Sequence, residues 1–310
     1  MKEFNDAMIC SVVIPSYNSK RTIMQCLESI KKMKTMHSYE VIVVDSSSDE
    51  TPDLIRTHFP EFKLIHLEEQ TYPGSARNLG FMEAKANIIA FVDSDCTVAE
   101  DWLEKMVEAH RQYEDAAIVG SVGNGTPKSI VGTTGYLVEF NEWTPKTKPR
   151  IINAILGGNV SYKKEIIQKH RLSYTDIFPS EDTIFAWDLN SKGETIRYDP
   201  TIVVYHLNRT ELKILLRHQV VMGKSVAESR RITGLFGQTF IKYPWLSVGL
   251  PAVRFSRAGY RLFRQDFKTF LLFLLYSPLY FICVLLWVYG FASKSKFDET
   301  KIKYDHSNES

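Results

Sequence analysis

Four short strand-like runs, Ser11–Pro15, Val41–Asp45, Phe62–Leu67 and Ile88–Val92, most of them near-continuously apolar, constrain the fold of this 310-residue chain more than any other feature. They alternate with stretches of helical period. Ile23, Leu27, Ile30 and Met33 share one face, Thr51–His58 opens beside Pro52, and Gly74–Glu83 and Asp101–Tyr113 follow. Near-continuous apolar strands are buried on both faces, so the alternation predicts an α/β fold with a mostly parallel, Rossmann-like sheet covered by helices. Ligands of such sheets sit beyond the carboxyl ends of the strands. Pro15, Asp45 and Asp93 all fall there.

The last run leads into Phe91-Val92-Asp93-Ser94-Asp95-Cys96. Acids at i and i+2 on extended backbone share a face and repel unless a cation or proton lies between them. A hard divalent ion that keeps positions free for phosphate oxygens suits the pair; polarising a turn is the competing reading. The chain is 44% apolar and 24% charged, enough for a core. A net charge of +2 gives no case for nucleic acid. Cys10, Cys26, Cys96 and Cys283 are scattered, which predicts reduced thiols rather than a disulfide framework or zinc site. Met1–Met8 is polar and reads as no signal peptide.

After a strand at Ile118–Val122 the pattern breaks into glycine-rich, polar pieces up to Pro149. Gly157–Ser161 introduces a helix through Glu165, Glu181 and Asp182 open another that ends at Gly193, and short strands follow at Ile196–Tyr198 and Ile202–Tyr205, just before His206. Glu211–Arg231 reads as one long basic helix. Phe270–Ala292 carries no charge; as a helix it would extend about 34 Å, enough to cross a membrane or to lie buried in a core. Arg254, Arg257, Arg261, Arg264 and Lys268, interleaved with Phe255, Tyr260 and Phe263, fit a helix on an anionic leaflet or a solvated basic face. The expected organisation is a catalytic domain over 1–232, an interfacial basic segment over 233–268, a transmembrane helix over 269–293 and a polar tail over 294–310 across the membrane.

The motif order resembles the inverting glycosyltransferases of family 2, which have the GT-A fold. SVVIPSYNS is similar to their opening strand and base-binding turn, VIVVDSSSDET to their second strand, and PGSARNLG to their Ala-Arg-Asn element. FVDSDC is similar to their metal motif, GGNVS to their acceptor-side loop and SEDTIFAWDL to the motif that carries the general base. The resemblance covers about residues 9 to 210. One departure is Asp45-Ser46-Ser47-Ser48 where the family often has Asp-Asp-Gly-Ser, which leaves the first Asp but puts details of base or ribose contact in question.

The resemblance implies roles for named residues. Asp95 and His206 hold Mg²⁺ or Mn²⁺ on the diphosphate, and Asp93 reaches the ribose or the metal shell. Arg77 adds positive charge, Tyr17 stacks on the base beside Pro15, and Asp45 accepts from a ring N–H such as that of uracil. Asp182 is the base that deprotonates an acceptor hydroxyl, with Glu181, Gly157, Gly158 and Asn159 on the acceptor side; Glu181 and Asp182 equally suit a helix N-terminus. The expected protein is a membrane-attached hexosyltransferase, cytoplasmic-side, moving a sugar from a UDP-linked donor to a lipid-linked or polymeric glycan in the cell envelope, with anionic lipids as partners. Its rivals are a polyprenyl-phosphate sugar synthase, whose acceptor needs no base, and a non-catalytic nucleotide-sugar-binding scaffold.

Overall fold

The computed structural model describes residues 8–234 and 237–293. In chain order its elements are β1 (Cys10–Ser16), α1 (Ile23–Lys31), β2 (Tyr39–Asp45), α2 (Thr51–His58), β3 (Lys63–His66), α3 (Pro73–Glu83), β4 (Ile88–Val92), β5 (Cys96–Val98) and α4 (Trp102–Gln112). There follow β6 (Ala117–Asn124), α5 (Ile130–Phe140), β7 (Arg150–Ile152), β8 (Asn159–Lys163), α6 (Lys164–His170), α7 (Glu181–Ser191) and β9 (Ile196–His206). The chain continues through α8 (Leu212–Thr233), α9 (Gln238–Lys242), a 3-10 turn (Pro244–Gly249), α10 (Leu250–Gln265) and α11 (Phe267–Ala292). The residues expected to form the tail, 294–310, lie outside the described ones, as do residues 1–7.

Two compact units are present. The first comprises the chain up to Thr126, Trp143–Ile177 and Glu181–Asn208. Its sheet runs β3-β2-β1-β4-β8-β6-β9-β5, with β7 on the far side of β9. Pairing is parallel from β3 through β4, as the apolar runs predict, because β1 and β4 are buried on both faces. Beyond β4 the sheet is mixed: β8 runs antiparallel to both β4 and β6, and β5 antiparallel to β9. The core on one side gathers Phe91, Tyr162, Tyr174 and Phe185; the Tyr174 and Phe185 rings stack at 4.3 Å, and the hydroxyls of Tyr162 and Tyr174 share a hydrogen bond of 2.7 Å.

Three local readings are corrected. Gly157–Ser161 does not lead directly into a helix: Asn159–Lys163 is β8, and α6 starts at Lys164. The strands expected at 196–198 and 202–205 are one strand, β9, which crosses Asp199-Pro200 with a register shift against β6 that Ser121 stabilises by donating to the Pro200 carbonyl at 2.8 Å. The polar stretch before Pro149 contains α5, whose glycines and threonines hide its period. Ser129 caps it, accepting from Gly132 N–H at 3.0 Å.

The second unit comprises Pro127–Glu142, Phe178–Ser180 and the chain from Arg209 on. It is a helical layer in which α11 packs on α8, α10 and α5. Among the described residues α11 is the one helix long and apolar enough to cross a membrane, with a mean hydropathy of 2.3. The basic run is divided: Asp266 ends α10 and caps α11, accepting from Thr269 N–H at 3.2 Å. Arg254 stacks over Trp287 at 4.2 Å, and Arg261 pairs with Glu142 at 3.2 Å, so two of the five cations are engaged within the protein.

Candidate active site

Sheet register brings the polar strand ends level. Ser16 stands opposite Asp45 and Asp45 opposite His66, while Val92, just before Asp93, stands opposite Asn159. His206 stands opposite Cys96 on one side and Asn124 on the other. Residues far apart in sequence therefore share the carboxyl edge of the first unit.

Arg77, on α3, is the hub of that edge. Buried and only 3% exposed, it donates from Nη2 to Asp93 Oδ1 at 2.9 Å and from Nη1 to Glu181 Oε1 at 3.0 Å, and its guanidinium lies 5.5 Å from the Tyr174 ring centroid. The loop before β8 closes over this pair. A Cβ on Gly157 would lie 2.7 Å from Arg77 Nη2, and one on Gly158 would lie 2.5 Å from Asp93 Oδ2, so both positions need glycine for close approach. Burial raises the Asp93 and Glu181 carboxyls above the ordinary range, and Arg77 opposes that rise in both.

Asp182 is the next residue on α7. Its Oδ1 accepts from Thr183 N–H at 2.7 Å. Burial first and the neighbouring Glu181 second push its carboxyl up to about 7. That places a proton acceptor near neutral pH, where general-base catalysis is most effective.

At the other end of the edge Asp95 Oδ2 lies 3.2 Å from His206 Nε2. The Asn208 amide donates to the His206 carbonyl and to Asn124 and Thr126, which turns its Oδ1 toward His206 Nδ1 at 2.9 Å. With Nδ1 turned to the Asn208 oxygen, Nε2 is the nitrogen that faces the Asp95 carboxylate. Such a facing pair is stable with a proton or a metal ion between the two atoms, so the donor set fits a divalent ion. Among the described residues no group of three His, Cys, Asp or Glu is gathered for a metal, and one oxygen of Asp93 is engaged by Arg77.

Two residues expected to contact substrate are enclosed by the protein. Asn159 is fully buried; its Oδ1 accepts from Trp102 Nε1 at 3.0 Å and its Nδ2 donates to the carbonyls of Ser121 and Ile202, so it braces strands and has no face for a sugar. Asp45 is also fully buried: it accepts from Ser47 Oγ at 2.5 Å and from Ser47 N–H, and holds His66 Nδ1 at 2.8 Å. Ser47, in the departure from the family pattern, is what engages this carboxylate. Pro15 lies on β1 opposite Val44, and Tyr17 is half-buried in the turn beyond. His66, Tyr174 and Asn208 went unread in the sequence. The strand-end rule that marks Asp45 and Asp93 applies equally to His66.

A mixed α/β sheet with an Arg-held carboxylate at the fourth strand end, an Asp–His pair beside it and a Glu-Asp pair at a helix start, Glu181 buried and Asp182 half-buried, defines a GT-A-type nucleotide-sugar transferase fold. Residues 11–171 match the family model described as Glycosyl transferase family 2, and the chain belongs to that family. It is 39% identical over 222 residues to the succinoglycan biosynthesis protein ExoO of Rhizobium meliloti, covering 66% of this chain and 62% of that protein. It is 26% identical over 211 residues to a poly(ribitol-phosphate) beta-glucosyltransferase of Bacillus spizizenii, covering 64% of this chain but 32% of that protein. The chain thus spans less than two thirds of either relative. The crystal structure of S. aureus TarS 1-349 in complex with UDP-GlcNAc has the same fold, with a TM-score of 0.54 at 18% identity over 92% of this chain and 90% of that one.

Proposed function

We propose that this protein transfers a sugar from a nucleotide donor, UDP-linked, to a hydroxyl of a lipid-linked or polymeric glycan, with inversion at the anomeric carbon. The observation that carries the reading is the buried Arg77, which joins Asp93 at the donor-side strand end to Glu181 beside Asp182. It holds the two halves of a displacement in register: the leaving group on one side and the base on the other. Asp182 takes the proton of the attacking hydroxyl, and a single carboxylate suffices for a direct displacement. Arg77 anchors Asp93, and Gly157 and Gly158 let the backbone approach both. Asp95 and His206 are assigned to Mg²⁺ or Mn²⁺, which supplies positive charge to a departing diphosphate when bound.

The donor class is supported by the TarS complex with UDP-GlcNAc, and the polymeric acceptor by the names of the two relatives. Attachment to the cell membrane is assigned to residues 233–293, with the catalytic domain over 1–232 on the cytoplasmic side, where nucleotide sugars are held and where the four free cysteines stay reduced. A screen of nucleotide sugars that measures release of each nucleoside diphosphate tests the reading. UDP release from one UDP-sugar is expected; release from none, with donor binding retained, would favour the non-catalytic scaffold.

A further inference from the structure

The described helices of the second unit bear on how α11 meets lipid. One side of α11 is buried from Phe273 through Tyr280, Val284 and Val288 to Phe291, about 27 Å of helix. The partners along that side are polar helices. The first half of α11 folds back on α10, where Phe255 meets Phe273 at 4.9 Å and Phe263 meets Phe270 at 5.3 Å. The second half lies against α8 in backbone contact: a Cβ on Gly290 would strike the Val220 carbonyl, and one on Gly223 the Trp287 carbonyl. Arg254 stacks on Trp287, and close by His218 and Gln219 of α8 hold Glu139 of α5 at 3.3 and 3.0 Å.

A helix that crosses a bilayer must be free of such companions or take them with it. Were α11 to cross, α10 with Arg254, Arg257, Arg261 and Arg264, and α8 with Arg217, Lys224 and Glu228, would follow it into hydrocarbon, and each charge there is costly. The outward side of α11 is apolar along its length: Leu271, Leu275, Ile282, Leu285 and Tyr289 run down its middle, flanked by exposed Leu272, Leu274 and Phe281. On α10 and the start of α11 the exposed residues alternate between apolar and basic: Val253, Arg257, Tyr260, Phe263, Arg264, Phe267 and Lys268. Arg257, Arg264 and Lys268 have no carboxylate partner among the described residues.

We infer that α11 lies in the plane of one leaflet and does not span it: its outward stripe enters the acyl boundary of an anionic bilayer, while Arg257, Arg264 and Lys268 meet lipid phosphates. The area and the charge are those of a monotopic helix layer. The inference rests on the membrane attachment proposed above and specifies its mode.

Two measurements on the full chain with phosphatidylglycerol–phosphatidylcholine vesicles test it. In the first, spin labels on single cysteines at Leu271, Leu275, Ile282, Leu285 and Tyr289 report depth from collisions with oxygen and a soluble nickel chelate; the native cysteines are buried and stay unlabelled. All five labels at one shallow depth are expected. A depth that grows toward Ile282 and falls again by Tyr289 would overturn the inference and establish a span. In the second, vesicle sedimentation compares the wild type with Arg257→Gln/Arg264→Gln/Lys268→Gln, surface changes that leave the packing intact. About a fivefold weakening per charge removed is expected on anionic vesicles. Equal binding by the variant would overturn the leaflet-charge assignment, and a wild type that stays in the supernatant would overturn the attachment itself.

Discussion

Arg77 and Glu181 stand 104 positions apart in the chain, and the guanidinium donates to the carboxylate at 3.0 Å with both side chains buried. With Asp93 on its second nitrogen, Arg77 offsets part of the cost of enclosing two acids. Removing it strands both. Arg77→Ala is expected to lose transfer and about 3–5 kcal/mol of stability. Arg77→Lys restores charge but not the fork, and should recover more stability than activity. Denaturant unfolding alongside turnover checks the split; equal recovery of both would mean that Arg77 is a structural ion pair alone.

Asp182 makes a pH prediction with two opposite signs. Its carboxyl titrates at about 7, so turnover should rise with pH through that region as the base form appears. Stability should move the other way. The folded chain holds this proton more tightly than the unfolded one, so the contribution is full below the ordinary carboxylate range and is lost as pH rises through about 7. Asp182→Asn is thus expected to melt above the wild type at pH 8 although it is inactive. Melting curves at pH 5 and pH 8 decide it.

For the Asp95–His206 pair, Asp95→Ala should abolish transfer, and chelation should do the same to the wild type with Mn²⁺ restoring it. Asn208→Ala removes the acceptor that fixes the imidazole tautomer and is expected to weaken metal affinity by about 10–100-fold with donor affinity otherwise retained. Mn²⁺ binding followed by electron paramagnetic resonance reads this directly. Full activity in chelator would remove the metal assignment.

Asn159 and Gly158 adjoin the same loop but should fail differently. Asn159→Ala leaves buried partners unsatisfied and is expected to lower stability by about 1–3 kcal/mol without a selective rise in acceptor KM. Gly158→Ala drives a methyl into Asp93 and should weaken donor binding instead. A selective acceptor KM effect in Asn159→Ala would return that residue to the substrate.

The parallel half of the sheet was legible because Val12–Ile14, Val41–Val44 and Ile88–Val92 are continuously apolar and run into turn residues, and the strand-end rule marked Asp45 and Asp93. What escaped was set by tertiary contact. β8 is short and follows two glycines, so its insertion between β4 and β6 has no local signal. Asn159 reads as a loop amide until Trp102, 57 positions away, occupies it. Composition marks α11 as apolar but says nothing of its companions. That half of it lies against charged α8 follows from Gly223 and Gly290, two glycines that look ordinary in sequence.

The central claim is that Asp182 is the base of a nucleotide-sugar transfer. It is tested most directly by UDP-sugar turnover of the wild type and Asp182→Asn, with donor binding measured on the same samples. The account predicts unchanged donor affinity and a turnover reduced by about 10²–10⁴. Turnover within a few fold of the wild type would contradict it, and would point to an acceptor phosphate that needs no base.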